Sequence, residues 1–198
     1  MKVLVTGATG FIGGNLAREL WRRGDDVQAL VRPGSNRLTI EDTGIVPVEG
    51  DILDRHSVDR AVQGCEAVFH TAAAYTFWSR DPAGVSQTNV KGTINVLEAA
   101  QQAGVSRTVY TSTVGTVGLP KEGLGDEETP LDPRSLHGNY KRSKLRAEQE
   151  ALALAAAGMP LVVVNPTAPV GQWDVKPTPT GKMILDFLRR KIPVYLST

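Results

Sequence analysis

Residues 1–14 read MKVLVTGATGFIGG, and this stretch decides the fold. An apolar run rich in β-branched residues stops at a glycine turn and a helical pattern follows, which predicts a strand, a turn and a helix. Gly7 permits the tight turn, Gly10 lets an anion approach the backbone, and Gly13 allows close helix packing. Because the helix begins with free N–H groups and a positive dipole end, the stretch predicts a pyrophosphate site. A turn that binds nothing is the alternative, and a Walker-type loop is excluded because no Gly-Lys-Ser/Thr closes the turn.

The composition is that of one globular domain. The chain has 198 residues, of which 41% are hydrophobic and 22% charged, and it is long enough to bury one sizeable core. A net charge of +1 gives no sign of a nucleic-acid or anionic-membrane surface. Cys65 is the only cysteine, which excludes an internal disulfide and fits a reducing compartment. Neither a signal peptide nor an apolar run of membrane-spanning length is visible, so we expect a cytoplasmic protein without a membrane span.

Strand and helix patterns alternate along the chain, which predicts an α/β fold with a doubly wound parallel sheet. Short apolar runs predict six strands, at residues 1–5, 27–31, 45–49, 67–70, 107–111 and 161–165. Apolar residues at helical spacing predict the main helices at 11–23, 82–103, 139–157 and 182–190, with a shorter one ending near residue 63. Right-handed crossovers then place helices on both faces, and the carboxyl ends of the strands share one edge.

Two arginines follow the second predicted strand, where a dinucleotide fold holds the adenosine ribose. An acidic residue directly after the second strand favours NAD. In this sequence that position is Arg32, and Arg37 follows five residues later. A guanidinium can pair with a 2′-phosphate, so NADP is the expected cofactor and NAD is the second choice. The alternative interpretation is two solvated loop arginines.

Further candidate contacts follow the third and fourth strands. Asp51 could accept a hydrogen bond from an adenine amino group while Ile52 covers the ring, and the alternative is that Asp51 only caps a turn. The small residues 71–73 would let a flat ligand lie against the backbone. His70 is expected to be a structural histidine at the strand end rather than a catalytic one. The three histidines lack the spacing of metal ligands, so no metal site is predicted.

Tyr140 and Lys144 lie four residues apart on a predicted helix and share one face. A free tyrosine has a pKa of about 10 and is a poor acid or base at neutral pH. A nearby ammonium stabilises the phenolate, so we expect Lys144 to lower the pKa of Tyr140. Tyr140 would then move a proton at a substrate carbonyl or hydroxyl, assisted by Ser112 or Thr113 at the end of the fifth strand. Taken alone, the pair could also be two surface residues of a basic helix.

A family resemblance is carried by several motifs that occur in order along the chain. They are TGATGFIGG from residue 6, GDILD from 50, HTAA from 70, NVKGTINVLEAA from 89, YTSTVGTVG from 110, YKRSK from 140 and NPTAPVG from 165. The chain resembles the extended short-chain dehydrogenase/reductases, a group of NAD(P)-dependent epimerases, dehydratases and reductases. Within the group it is most similar to the dihydroflavonol 4-reductase-like branch and to the hopanoid-associated sugar epimerases, through ALVRPGSNR, HTAAAYTFWSRDP and VNPTAPVGQWDVKPTPTGKMI.

The resemblance implies a Rossmann domain over residues 1–170 and the start of a C-terminal substrate region over 171–198. It also implies a catalytic set of Thr113, Tyr140 and Lys144, in which Lys144 holds the nicotinamide ribose as well. Members of the group continue into a smaller domain, so the chain is expected to be truncated. Many of them pair through two helices, here 86–103 and 139–157, which predicts a homodimer. The predicted cofactor contacts are Gly7, Thr9, Gly10, Phe11, Ile12, Gly13, Arg32, Arg37, Asp51, Ile52, Thr71, Ala72, Ala73, Ser112, Tyr140, Lys144, Pro166 and Thr167.

The expected function is hydride transfer at a hydroxyl or carbonyl carbon of a sugar nucleotide or a ketone, with a nicotinamide cofactor. Reductase and epimerase use the same set of side chains, so both remain open. The alternative from another class is a protein that binds the cofactor without turnover, either a regulator or an inactive fragment.

Overall fold

The computed structural model describes residues 1–75, 81–120 and 122–192. Within these residues, six strands form one parallel sheet in the order β3-β2-β1-β4-β5-β6. The strands are β1 (Lys2–Thr6), β2 (Asp26–Val31), β3 (Val46–Glu49), β4 (Ala67–His70), β5 (Arg107–Thr111) and β6 (Leu161–Val164). The strand order reverses at β1, which pairs with β2 on one side and β4 on the other. Open α/β sheets bind ligands at such a switch point, and the predicted doubly wound Rossmann fold is confirmed.

The helices follow the predicted alternation with the strands. They are α1 (Phe11–Arg22), α2 (Arg55–Ala61), α3 (Pro82–Ser86), α4 (Gly92–Gln102), α5 (Asn139–Ala156) and α6 (Pro179–Leu188). A π turn over Gln87–Lys91 joins α3 to α4, and short 3-10 turns occupy Val114–Thr116 and Pro133–Ser135. The predicted bounds of α1 and α5 agree with the structure to within one residue. Both helices end at glycines with positive φ, Gly24 at 86° and Gly158 at 95°.

The core lies on both faces of the sheet because successive residues of a buried strand point to opposite sides. In β1, Val3 and Val5 pack with Leu20 of α1 in one cluster, while Leu4 belongs to a second cluster with residues of α2, α4 and α5. The three β1 side chains are fully buried, and each contributes about 1.5–3 kcal/mol. This central strand therefore gives the glycine turn at its carboxyl end a rigid support.

Two helices depart from the prediction. The helix expected over 82–103 contains the π turn, which directs Asn89 into the core, where only 1% of the residue is exposed. The last helix begins at Pro179 rather than near residue 182, because Thr178 Oγ1 accepts a hydrogen bond from Gly181 N at 3.1 Å and caps it. Residues 193–198 of the predicted substrate region lie outside the described residues.

No helix within residues 1–75, 81–120 and 122–192 is both long enough and apolar enough to span a membrane.

Candidate active site

The glycine turn joins β1 to α1 at the carboxyl edge of the sheet. Gly7 has a φ of 80°, and Gly10 N donates a hydrogen bond to Gly7 O at 2.9 Å. Helix α1 begins after Gly10 without a side-chain cap, which leaves its first N–H groups for a ligand. A Cβ on Gly13 would lie 2.3 Å from both Gly7 O and Thr71 Oγ1. Only glycine at position 13 therefore permits this packing of α1 against the turn.

The residues after β4 lie against the same turn. Thr71 Oγ1 donates to Thr6 O at 2.7 Å, and Ala72 N donates to Thr6 Oγ1 at 3.3 Å. A Cβ on Gly7 would lie 2.7 Å from Ala72 N. The structure therefore brings Gly7, Thr71 and Ala72 together at the switch point, and the next residue, Ala73, is exposed.

The two arginines predicted to bind a 2′-phosphate differ in their surroundings. Arg32 is exposed directly after β2, and its carbonyl oxygen accepts from Ser35 Oγ at 2.7 Å. Arg37 forms an ion pair with Glu49, with Nη2 and Oε1 separated by 2.8 Å. Exposed pairs of this kind contribute about 0–1 kcal/mol, so an incoming phosphate could displace the carboxylate.

Asp51 and Ile52 are both engaged by the protein. Asp51 Oδ1 accepts from Leu53 N at 2.9 Å, which is the turn cap considered as the alternative. Ile52 is 7% exposed, and its Cδ1 lies 2.5 Å from where a Cβ on Gly92 would be. Most of Ile52 thus packs in the core, and the proposed contacts of both residues with adenine stay predictions.

The structure distinguishes the two hydroxyl residues that follow β5. Ser112 is buried with 5% exposure, whereas Thr113 is partly exposed. Thr113 Oγ1 accepts from Gly115 N at 3.2 Å, which leaves its hydroxyl hydrogen available to donate. The Thr113 hydroxyl also lies close enough to the Tyr140 phenol to act on its pKa. The predicted pair of Thr113 and Tyr140 is therefore brought together from β5 and α5.

Tyr140 carries a protonated phenol at neutral pH. Burial, and next the charge of Tyr75, raise the pKa of Tyr140 to about 12, while the Thr113 hydroxyl acts in the opposite direction. The Tyr75 and Tyr140 rings meet edge to face, with centroids 4.9 Å apart. The expectation that Lys144 lowers the pKa of Tyr140 is wrong for this arrangement, because desolvation of the phenol dominates.

Lys144 is the most buried charged group of the site, with 2% exposure. Its Nζ donates to Tyr110 Oη at 2.7 Å and to Thr111 O at 2.8 Å, both on β5. Burial lowers the pKa of Lys144 to about 7, and Glu148 acts in the opposite direction. The lysine thus lies at the predicted place, with its described hydrogen bonds directed to β5.

His70 has the structural role that was expected. Its Nδ1 lies 2.7 Å from Thr6 Oγ1 and its Nε2 lies 2.9 Å from Thr93 Oγ1. Its ring stacks on Tyr110 with centroids 5.5 Å apart. Burial, and next the charge of Lys144, lower the pKa of His70 to about 3, so the imidazole is neutral at physiological pH.

Asn89 is a site residue that the sequence argument missed. Its Oδ1 accepts from Ala74 N at 2.7 Å, and its Nδ2 donates to Ser143 Oγ at 2.9 Å. Ser143 Oγ in turn donates to Tyr140 O at 2.8 Å. Asn89 therefore ties the loop after β4 to the first turn of α5. The available signal was an amide side chain at helical spacing from Thr93 and Val96, which are buried.

Asn165, just after β6, was also missed. Its Nδ2 donates to Thr113 O at 3.2 Å, to Thr116 Oγ1 at 3.0 Å and to Glu148 Oε2 at 2.9 Å. Thr116 Oγ1 also donates to Glu148 Oε2 at 2.7 Å. This network fixes the segment that carries Thr113 against α5. No local sequence pattern predicts this network, because its members come from distant parts of the chain.

The remaining predicted contacts lie along the same edge. Pro166 O accepts from Val114 N at 2.9 Å, which places residue 166 beside the end of β5, and Thr167 is exposed. A Cβ on Gly171 would lie 3.6 Å from the Phe11 ring. The segment 165–171 therefore runs from the end of β5 to the start of α1. Thr9 and Ile12, on the glycine turn and in the first turn of α1, are partly exposed and exposed.

The comparison with known families agrees with this geometry. A model of the NAD dependent epimerase/dehydratase family matches residues 3–193. The chain belongs to this family. The predicted membership of the extended short-chain dehydrogenase/reductases is thereby confirmed.

Curated relatives include reductases of the family. The protein named "Putative dihydroflavonol 4-reductase" from Synechocystis sp. is 47% identical over 195 residues, which cover 98% of this chain and 57% of that protein. The dihydroflavonol 4-reductase of Zea mays is 36% identical over 190 residues, covering 86% of this chain and 53% of that protein. The chain thus spans a little over half the length of these relatives.

Solved structures of the family share the fold. A crystal structure of gox2253 matches with a TM-score of 0.92 and 44% identity, over 98% of this chain and 59% of that one. A UDP-glucose-4-epimerase from Stenotrophomonas maltophila, with bound NAD and formylated UDP-arabinopyranose, matches with a TM-score of 0.73 and 30% identity, over 82% of this chain and 51% of that one.

The residues of this family member fit a nicotinamide dinucleotide. The uncapped start of α1 presents N–H groups, and the tight contacts of Gly7 and Gly13 leave the turn without side chains that would block a pyrophosphate. The described residues contain no group of three or more His, Cys, Asp or Glu side chains that could hold a metal ion.

Proposed function

We propose that this chain is the cofactor-binding and catalytic part of an NAD(P)-dependent oxidoreductase or epimerase. It acts on a hydroxyl or carbonyl carbon of a sugar nucleotide or a ketone. The observation that carries the proposal is the convergence of Thr113, Tyr140 and Lys144 at the carboxyl edge of the sheet, the same edge at which the glycine turn lies. Because the chain spans little more than half the length of its relatives, the activity of the whole protein is part of this proposal.

Tyr140 is the proton-transfer residue in this mechanism. When bound, a nicotinamide dinucleotide supplies or accepts the hydride. In the reductive direction, the protonated phenol of Tyr140 donates its proton to the substrate oxygen, and the raised pKa keeps that proton in place at neutral pH. In the oxidative direction the phenolate removes the proton. The positive charge of an oxidised nicotinamide would stabilise that phenolate.

Thr113 and Lys144 hold the reacting groups in place. The Thr113 hydroxyl donates a hydrogen bond to the same substrate oxygen, and the charge that develops on this oxygen is stabilised in a site shielded from water. An ammonium has three donors, and two of those on Lys144 are engaged by β5, which leaves one for the nicotinamide ribose.

Thr113→Val keeps the shape of the side chain and removes the hydroxyl. We expect kcat to fall about 100-fold, since one donor to the developing oxyanion is lost. Thr113→Ser restores the donor and should recover most of the activity. The Val variant also loses the contact to Gly115 N, so its melting temperature is measured in parallel. Equal kcat for the Val and Ser variants would contradict the role of Thr113.

We propose further that the cofactor is NADP, on the support of Arg32. Its guanidinium follows β2, where the adenosine ribose of a Rossmann cofactor lies, and no described residue offers it an ion pair. Arg37 can add a second contact if the phosphate displaces Glu49. The carboxylate of Glu49 reduces the positive charge around Arg32 and Arg37. We therefore expect a smaller difference between the affinities for NADP and NAD than two unpaired arginines would give.

Arg32→Asp should reverse the cofactor preference. We expect the affinity for NADPH to fall about 10- to 100-fold, because a charge-assisted contact with the 2′-phosphate is replaced by repulsion. Binding of NADH should be unchanged or stronger. Fluorescence titration with each cofactor measures the two affinities. The matched control is Arg107→Asp, which changes an exposed arginine at the amino end of β5. Equal affinity of the unmodified chain for both cofactors would rule out NADP selectivity.

A substrate panel tests the catalytic proposal itself. Ketones with NADPH and sugar nucleotides with catalytic NAD(P) are incubated with the protein, and products are followed by absorbance at the nicotinamide band and by NMR. Net cofactor consumption identifies a reductase, and an inverted sugar without net consumption identifies an epimerase. Cofactor binding without turnover on any member would favour the non-catalytic alternative instead.

A further inference from the structure

Tyr110 and Lys144 form a buried pair below the catalytic residues. Tyr110 is completely buried on β5, and its phenol oxygen accepts a hydrogen bond from Lys144 Nζ at 2.7 Å. The same Nζ lies 4.3 Å from the centroid of the Tyr110 ring. The lysine therefore contacts both the hydroxyl and the ring of one tyrosine.

The position of the Tyr110 ring is fixed independently of Lys144. It stacks on the neutral His70 ring of the neighbouring strand at a centroid distance of 5.5 Å. The His70 ring is held in turn by Thr6 and Thr93, one at each ring nitrogen. Tyr110 thus belongs to a rigid layer within the sheet, whereas Lys144 reaches it through four rotatable bonds.

We propose that Tyr110 is the positioning residue of Lys144. The Tyr110 hydroxyl holds the Lys144 amine against the Thr111 carbonyl, so that a single N–H of the lysine remains for the cofactor. A lysine without this partner would keep only one fixed acceptor and would sample more rotamers. The inference rests on the proposed function, because Lys144 matters for turnover only if the site is catalytic.

The groups around this pair determine how a change at Tyr110 acts on Lys144. His70 on β4 is neutral, Glu148 on α5 favours the ammonium, and Tyr140, also on α5, acts to raise the pKa of Tyr110. Burial lowers the pKa of Lys144 to about 7, so small changes in its partners alter its charge near neutral pH. The Tyr110 oxygen stabilises the ammonium by accepting its hydrogen bond, and losing this acceptor lowers the lysine pKa further.

Tyr110→Phe removes the hydroxyl and retains the ring, its stack on His70 and its contact with the ammonium. We expect the titration midpoint of Lys144 to fall by about one pH unit, as a hydrogen bond to a charged group is lost. Carbon-13 NMR of ε-labelled lysine measures the midpoint, with the Lys144 signal assigned from its loss in Lys144→Met. We also expect kcat at pH 7 to fall about fivefold at unchanged KM for the substrate, because the ammonium fraction falls from about one half to about one tenth. The decline of activity on the alkaline side should move to lower pH, because the ammonium is the active form.

The matched control is Thr108→Val on the same strand. Thr108 is fully buried and its hydroxyl has no hydrogen-bond partner among the described residues, so this change removes a buried hydroxyl without touching Lys144. The control should keep both the lysine midpoint and kcat, and thermal melting of both variants checks folding. An unchanged Lys144 midpoint in Tyr110→Phe overturns the proposal, and so does a shifted midpoint with unchanged kcat. Absence of turnover in the unmodified protein would count against the proposed function instead. In that case the Lys144 titration midpoint of Tyr110→Phe alone tests whether Tyr110 holds the lysine.

Discussion

Tyr140→Phe should reduce turnover about 10²- to 10⁴-fold, since it removes the only proposed proton donor to the substrate oxygen. The ring and its edge-to-face contact with Tyr75 are kept, so the fold and the cofactor site should persist. Burial raises the pKa of this phenol and lowers that of Lys144 to about 7, so the loss of reductive activity above neutral pH should follow the lysine and not the tyrosine. Stopped-flow measurement of nicotinamide absorbance gives the rate of the hydride-transfer step.

Binding of NADPH to Tyr140→Phe is the internal control for this experiment. The dissociation constant should change little, because the proposed site places Tyr140 at the reacting end and assigns the pyrophosphate to the glycine turn. A variant that turns over at the wild-type rate would refute the assignment of Tyr140. A variant that fails to bind the cofactor would show that Tyr140 supports the cofactor site rather than proton transfer.

Gly13→Ala should weaken both stability and cofactor binding. The added Cβ would lie 2.3 Å from Gly7 O and Thr71 Oγ1, so α1 must move away from the turn. Overpacking of this kind costs about 1–3 kcal/mol of unfolding free energy. The same movement displaces the N–H groups aimed at the pyrophosphate, and the loss of one such charge-assisted bond weakens binding about tenfold or more. Urea unfolding and NADPH titration measure the two effects.

Gly171→Ala is the matched control for this change. Its Cβ would meet the Phe11 ring at 3.6 Å, an ordinary van der Waals contact, and Gly171 has no positive φ. Stability and NADPH affinity should remain close to those of the wild type. If Gly13→Ala behaved like this control, the close packing of α1 on the turn would not be what maintains the cofactor site.

Local sequence patterns predicted most of the fold. The bounds of β4 and β5 agree with the expected ones, because both are short runs in which β-branched and aromatic residues favour a strand. The π turn at 87–91 and the start of α6 at Pro179 were not predicted. The first depends on partners of Asn89 that are distant in sequence, and the second depends on a Thr178 cap that was overlooked.

The catalytic set was predicted from spacing and resemblance, but its electrostatics was not. The i,i+4 spacing places Tyr140 and Lys144 on one helix face, yet the direction of the Tyr140 pKa depends on how much water the fold excludes. Likewise, Arg37 was predicted as a free phosphate ligand, whereas a carboxylate from β3 pairs with it.

The sequence by itself determined the strand, glycine turn and helix at residues 1–14, because that geometry depends on neighbours within one turn of the chain. It also determined the shared face of Tyr140 and Lys144 for the same reason. Only the tertiary structure decided that Lys144 is held by Tyr110, 34 residues away, and that Ser112 is buried while Thr113 is partly exposed. Contacts between strand ends and helices depend on register and burial across the whole sheet, and no local pattern encodes them.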